Sequence, residues 1–151
     1  YGYARQKSSP IPVKLILDQC GPVTLDVSYY PNSYLNDAYE GGAAGYLGER
    51  LGYTPEEIKN PDAALKKYLD DCSPVCWINK GSVPTLMQYG DYDYLVDGPI
   101  HSALLESTLK KYHVTYKNIP AYKSDHPLEM DNAAVKKFNA TAEEWLAIYL
   151  K

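Results

Sequence analysis

Two short stretches hold the acid and imidazole groups from which proton-transfer chemistry could be built. The first is Gly90-Asp91-Tyr92-Asp93-Tyr94-Leu95-Val96. The second is Pro120-Ala121-Tyr122-Lys123-Ser124-Asp125-His126-Pro127. A carboxylate beside an imidazole fixes its tautomer and stabilises its protonated form. An acid followed by a histidine is two members of an acid–histidine–nucleophile set, in a known chain order. The other two histidines, His101 and His113, fall at a helix start and a strand start, where a structural role is expected. Asp125 is expected to shape its loop, accepting a backbone N–H, and Asp91 to be solvated. Asp93 alone would read as an ordinary turn residue.

The elements that would position these groups are readable from pattern. Residues 13–19, 84–90 and 113–119 are short, β-rich runs bounded by Pro and Gly, so each is expected to be a strand. Between the second and third lies an expected helix, 100–112, with Ala103, Leu104, Leu105, Leu109 and Tyr112 on one face. Glu106 and Lys110 add an i,i+4 pair. Strand, helix, strand at this spacing is a βαβ unit with parallel strands. Both reactive stretches then leave the carboxyl ends of neighbouring strands, the edge where open parallel sheets do chemistry.

Residues 28–76 have a different character and read as a helical insertion above the sheet. Gly41-Gly42-Ala43-Ala44-Gly45 is expected to be flexible; no Lys-Ser/Thr follows, so it is not a phosphate loop. Thr54-Pro55-Glu56-Glu57 is a capping box opening one helix, and Asn60-Pro61 opens another running to about Asp71. Tyr29, Tyr30, Tyr34, Tyr39, Tyr46 and Tyr53 either line a pocket for an acyl or aromatic-sugar group or pack the insertion onto the sheet. Near the C-terminus, Asp131 is expected to cap a segment through Phe138. A capping box at Thr141 and Glu144 is expected to open a separate last helix.

Composition removes whole classes of function. The chain has 151 residues, 15 Lys plus Arg, 19 Asp plus Glu and a net charge of -4. Hydrophobic residues make up 45% and charged residues 23%, as in one ordinary globular domain. No basic stripe exists to displace counterions from phosphates, so no nucleic-acid partner is expected. No apolar run approaches the roughly 20 residues of a membrane span. Cys20, Cys72 and Cys76 are odd in number and are expected to be free thiols. Cys72 and Cys76 lack a second pair at zinc-like spacing and there is no H-E-x-x-H, so no metal site is expected.

At this point the sequence resembles the α/β-hydrolase family. Val83-Pro84-Thr85-Leu86-Met87-Gln88-Tyr89-Gly90-Asp91-Tyr92-Asp93-Tyr94-Leu95-Val96 resembles its acid-bearing strand and turn, P-x-L-h-x-H-G-x-x-D-x-x-V. The match places the acid at Asp93, three after Gly90 and three before Val96, and puts Tyr89 where His is common. Ser124-Asp125-His126 resembles the histidine loop, and Ser73-Pro74 behind a variable cap also recurs there. The nearest branch is that of esterases and lipases, including carbohydrate and feruloyl esterase-like enzymes.

The resemblance implies an α/β class: a partial α/β-hydrolase fold with three parallel strands, flanking helices and a helical cap insertion. It implies a serine ester hydrolase acting on a small-molecule ester with no cofactor, with Asp93 and His126 as catalytic acid and base. Of the insertion tyrosines, Tyr29, Tyr30 and Tyr34 are expected near substrate on their residue type alone. No G-x-S-x-G occurs in the 151 residues. The chain is therefore expected to be the C-terminal half of a larger hydrolase, with Tyr1 to Lys7 as the tail of the helix after the nucleophile. The open edge of strand 13–19 is then expected to be covered by the N-terminal half or by a second copy of the chain. Two other readings share these residues: a non-catalytic hydrolase-like binding module, and a serine peptidase of the same fold.

Overall fold

Leu86 and Met87 are neighbours in sequence and face opposite sides of a sheet, and the whole molecule is layered around that alternation. A computed structural model describes residues 12–30, 42–93 and 95–151. Its sheet has three strands in the order β1 (Ile16–Gln19), β2 (Thr85–Gln88), β3 (Tyr116–Asn118). Both pairings are parallel, with Ile16 opposite Thr85 and Thr85 opposite Tyr116. Every residue of the central strand β2 is buried.

On one face, Leu86 packs with Ile119, Ala121, Leu128, Ala134, Phe138 and Ala142. On the other, Met87 and Tyr89 pack with Val23, Ile78, Leu105, Leu109 and Val114. Three helices, α1 (Gly42–Leu51), α2 (Pro55–Lys59) and α3 (Ala63–Cys72), hold a cluster of their own around Ala44, Ile58, Leu65 and Leu69. Ser73 joins that unit to the chain after β1. Its hydroxyl donates to Leu69 O at 2.7 Å and accepts the Leu25 N–H at 2.8 Å.

The βαβ unit is as the sequence implies. Helix α4 (Gly98–Lys111) is capped by Asp97, which accepts the Ile100 N–H at 3.0 Å, and carries Lys110 and Lys111 in its last turn. The Thr54–Glu57 capping box opens α2, with both reciprocal hydrogen bonds formed. All three cysteines are free.

Several expectations differ from the structure. The strands are shorter than 13–19, 84–90 and 113–119. His113 is not in a strand; it sits at φ 55 in the turn after α4. The Gly-rich segment is helical from Gly42 onward, because Ala44 is fully buried and Gly48 lets α1 approach the α2 entry. A Cβ at Gly48 would stand 2.5 Å from the Tyr53 carbonyl oxygen. Helix α3 begins after Asp62, not at Asn60-Pro61, since the Asp62 carboxylate accepts the Leu65 N–H at 2.8 Å.

The C-terminal pair of helices is one helix, α5 (Asn132–Tyr149), capped by Asp131. Thr141 lies inside it. Phe138, Thr141, Ala142 and Trp145 follow i, i+3, i+4, i+7 spacing and keep one face against the sheet across the expected break. The Thr141 hydroxyl serves instead as an acceptor for Lys117 Nζ at 3.3 Å.

Among the described residues β1 pairs only with β2. Ile16 donates its N–H to Pro84 O, just ahead of β2, and Cys20 donates to Gln88 O in β2, so Leu17 and Gln19 direct theirs to the other edge. Leu17 is 42% exposed there.

Candidate active site

The two reactive stretches leave β2 and β3 and run together. Ala121 N–H donates to Tyr89 O at 2.9 Å, and Gly90 forms a parallel bridge with Ala121. Tyr92 N–H donates to Ser124 O at 2.9 Å, and Ser124 N–H donates to the Asp91 carboxylate at 3.3 Å. Asp91 is thus exposed yet tied to the second loop. Gly90 permits this approach: a Cβ there would stand 2.3 Å from Ser124 O and 2.6 Å from Asp125 O.

Asp93 turns back into this junction. Its Oδ1 accepts the N–H groups of Leu95 and Val96, each at 2.9 Å. That leaves Oδ2 free to meet His126 Nδ1 at 2.9 Å. The Asp93 side chain has no exposed surface and that of His126 is 37% exposed. With the carboxylate as acceptor, Nδ1 carries the proton and Nε2 the lone pair. The arrangement can therefore accept a proton at Nε2 from a hydroxyl brought to it, and the buried carboxylate can stabilise the charge that results. Asp125 contributes its main-chain oxygen to the Leu128 N–H at 3.1 Å. Its buried Oδ1 has no hydrogen-bond partner among the described residues.

A third side chain enters the site without any motif to announce it. Cys20 follows β1, 3% exposed, and its Sγ lies within 4.8 Å of ligand atoms of both Asp93 and His126. Burial pushes its thiol up to about 11, and the Asp93 carboxylate adds to that. Cys20, Lys123 and Leu128 hold left-handed backbone, at φ 55, 55 and 60. Non-glycine residues seldom adopt this conformation, and here three of them surround one site. The signal that could have found Cys20 is positional: it lies at the carboxyl end of a strand, on the same edge as the pair.

Tyr89 occupies the place where the resembling family commonly has His, and its hydroxyl ties off the end of β1. It lies 2.5 Å from Asp18 Oδ2 and 2.7 Å from the Gly21 carbonyl oxygen. Of the tyrosines expected near substrate, Tyr30 is buried. Its hydroxyl donates to Thr24 O at 3.0 Å and its ring lies 5.2 Å from that of His101. Tyr29 is 49% exposed, and Tyr34 lies outside the described residues.

His101 is wholly buried and accepts the Val23 N–H at Nδ1, 3.0 Å away. Burial pushes its pKa from 6.5 down to about 4, partly offset by Asp97 and Asp93. The unfolded chain therefore binds more protons at this residue between pH 6.5 and about 4. Its stabilising contribution is complete above pH 6.5 and falls as pH drops through that window, by up to about 1.4 kcal/mol per unit. Asp18, pushed up by burial, contributes with the opposite sign. Urea unfolding at pH 7 and pH 5 separates the two. The parent chain should lose more stability between these values than His101→Gln, and equal losses would contradict the assignment.

No family model and no curated protein matches the sequence. Solved structures do. A truncated carbohydrate esterase from gut microbiota aligns with a TM-score of 0.59 and 18% identity, over 92% of this chain and 44% of its own. An acetyl ester-xyloside bifunctional hydrolase from Caldicellulosiruptor lactoaceticus aligns at 0.55 and 20%, over 89% and 42%. A propionate-bound esterase from the planctomycete Thermogutta terrifontis aligns at 0.54 and 21%, over 95% and 46%. The chain thus spans less than half the length of each. Three parallel strands, the flanking helices and the alignment along nearly the whole chain lead to one conclusion: this chain has part of the α/β-hydrolase fold.

Proposed function

We propose that this chain supplies the acid and the general base of a serine-type ester hydrolase. The reading is carried by one observation, the 2.9 Å contact between Asp93 Oδ2 and His126 Nδ1 at the ends of adjacent parallel strands. The nucleophilic serine and the oxyanion donors belong to a segment outside these 151 residues, whose strand adds to the β1 edge that no described residue pairs. That segment is either encoded ahead of Tyr1 or contributed by a separate chain.

His126 Nε2 takes the serine proton as the serine oxygen attacks the ester carbonyl. The leaving alcohol takes that proton from Nε2, and an acyl-enzyme remains. Water then gives its proton to Nε2, attacks the acyl group, and the acid leaves as the serine oxygen recovers the proton. Asp93 holds Nδ1–H throughout. The structural neighbours include an acetyl ester hydrolase and a propionate-bound esterase, so short acyl esters of sugars are the first substrates to test.

The decisive experiment joins this chain to the serine-bearing segment and exposes it to a serine-directed phosphonate. One covalent adduct per assembled enzyme is expected, with hydrolysis of short acyl esters. The 151-residue chain alone should give neither. A folded assembly that forms no adduct overturns the proposal.

A further inference from the structure

The loops that close on the acid and imidazole also carry a thiol to them. Cys20 Sγ, an Asp93 carboxylate oxygen and a His126 ring nitrogen all lie within 4.8 Å of one another. We propose that these three side chains bind a thiophilic divalent cation of the Zn2+ class, and that the bound cation holds His126 in a tautomer unable to accept a proton. The binding stands independently of the function proposed above; its meaning as a control of hydrolysis rests on that reading.

Thiolate, imidazole and carboxylate are the donor types that zinc takes up in tetrahedral sites. Zinc–ligand distances of about 2.0–2.3 Å place tetrahedral ligand atoms roughly 3.3–3.7 Å apart. Small side-chain movements bring the present cluster to that spacing. A thiolate and a carboxylate together neutralise a divalent ion, which removes the main penalty of placing it in a buried site. The carboxylate is already oriented: Leu95 and Val96 N–H groups hold Oδ1, leaving Oδ2 toward the cluster. The Cys20 N–H to Gln88 O bond of 2.9 Å fixes the turn that carries the thiol. His126 is the partly exposed member, so the fourth coordination position and the entry path lie on its side. Mg2+ and Ca2+ are hard cations that take oxygen ligands, and two of the three donors here are sulfur and nitrogen.

Binding sends the thiol proton to the buffer, and the cation takes the Nδ1 lone pair of the neutral ring. The ring proton then sits on Nε2. An Nε2–H is a donor and has no lone pair with which to receive a hydroxyl proton. The cation therefore sets the site in an off state without displacing any element of the fold.

The test uses the 151-residue chain with Cys72→Ser and Cys76→Ser, which removes the two exposed thiols and leaves Cys20. Cd2+ is titrated while thiolate-to-metal charge-transfer absorption is followed, with Zn2+ and Mg2+ as competitors. One Cd2+ per chain is expected, displaced by Zn2+ and not by Mg2+. Cys20→Ser should abolish the band. His126→Gln, at a partly exposed loop position, should keep the circular dichroism spectrum and weaken binding by at least about tenfold. Nitrogen NMR of the His126 ring should show the proton on Nδ1 before Zn2+ and on Nε2 after it. Absence of the band, a band that His126→Gln leaves equally strong, or an unchanged tautomer overturns the proposal. None of these readouts uses ester turnover, so a failed phosphonate experiment would leave them intact.

Discussion

In the hydrolase proposed above, Asp93→Asn is expected to lower kcat by about 10⁴-fold and to leave KM for a short acyl ester nearly unchanged. The size follows from how the carboxylate is held. Leu95 and Val96 N–H groups both point at Oδ1. An asparagine in this place keeps its oxygen toward those donors and turns its NH2 toward His126. Nδ1 must then present a lone pair to that NH2, and the ring proton moves to Nε2. The base is lost although the fold is not. His126→Ala, which removes the base itself, should be at least as damaging. Asp91→Asn is the control. Its carboxylate faces the Ser124 N–H at 3.3 Å, away from the imidazole, and an amide oxygen can accept the same bond. It should keep activity within about threefold, near the limit of an ordinary surface substitution. If Asp93→Asn and Asp91→Asn fall equally, or Asp93→Asn falls by less than about tenfold, the acid has been misassigned.

Asp93 was legible in the sequence because its frame is local. Gly90, Asp93 and Val96 are spaced three apart in one short stretch, so the pattern is read without knowing the fold, although Gly90 and Val96 act against distant parts of the chain. Gly90 permits close backbone approach, Asp93 closes a turn on the N–H three residues ahead, and Val96 enters the core. His126 was legible through its place after the next parallel strand, which the βαβ pattern supplied, and through the likeness of Ser124-Asp125-His126 to a histidine loop. Cys20 has no such frame. Its presence at the site depends on β1 ending beside β2 in register, with Gln19 opposite Gln88, and on a left-handed residue that turns the chain there. The end of the strand is readable from the sequence, but its register against β2 and the left-handed turn at Cys20 itself are not. The same limit explains Tyr30. A tyrosine of the insertion reads alike as lining or as packing, and the burial of Tyr30 beside His101, many residues away, is visible only in the fold.

The Thr141 motif shows the converse. A capping box is a local offer of hydrogen bonds, worth about 1 kcal/mol. Burying Phe138 and Ala142 along one continuous face is worth more, at about 25 cal/mol per Å² of apolar surface. Helix α5 therefore runs through the box, and Asp131 does the capping. The Thr54 box lies outside any such conflict and is used as written. Local signals held where tertiary burial was indifferent, and yielded where it was not.

Two glycines should prove as consequential for the site as its reactive residues. A Cβ on Gly98 would stand 1.9 Å from Gly90 O, and one on Gly90 would stand 2.3 Å from Ser124 O. In both cases the obstacle is backbone, which cannot rotate aside. Gly98→Ala pushes the start of α4 off the loop that holds Asp93. Gly90→Ala pushes the His126 loop away from the same loop. Each should lower the unfolding free energy by about 3 kcal/mol, the upper range for overpacking. Each should also lengthen the Asp93–His126 contact, seen as loss of the hydrogen-bonded Nδ1–H signal in NMR of the surviving folded fraction. Gly52 provides the scale. It has φ 78 and nothing within 4 Å of an added Cβ, so Gly52→Ala meets only backbone strain of about 1 kcal/mol. The three substitutions add the same methyl and differ in what it meets. Should Gly90→Ala prove no more harmful than Gly52→Ala, the two loops are not in backbone contact. The geometry that brings a carboxylate to an imidazole would then have lost its support.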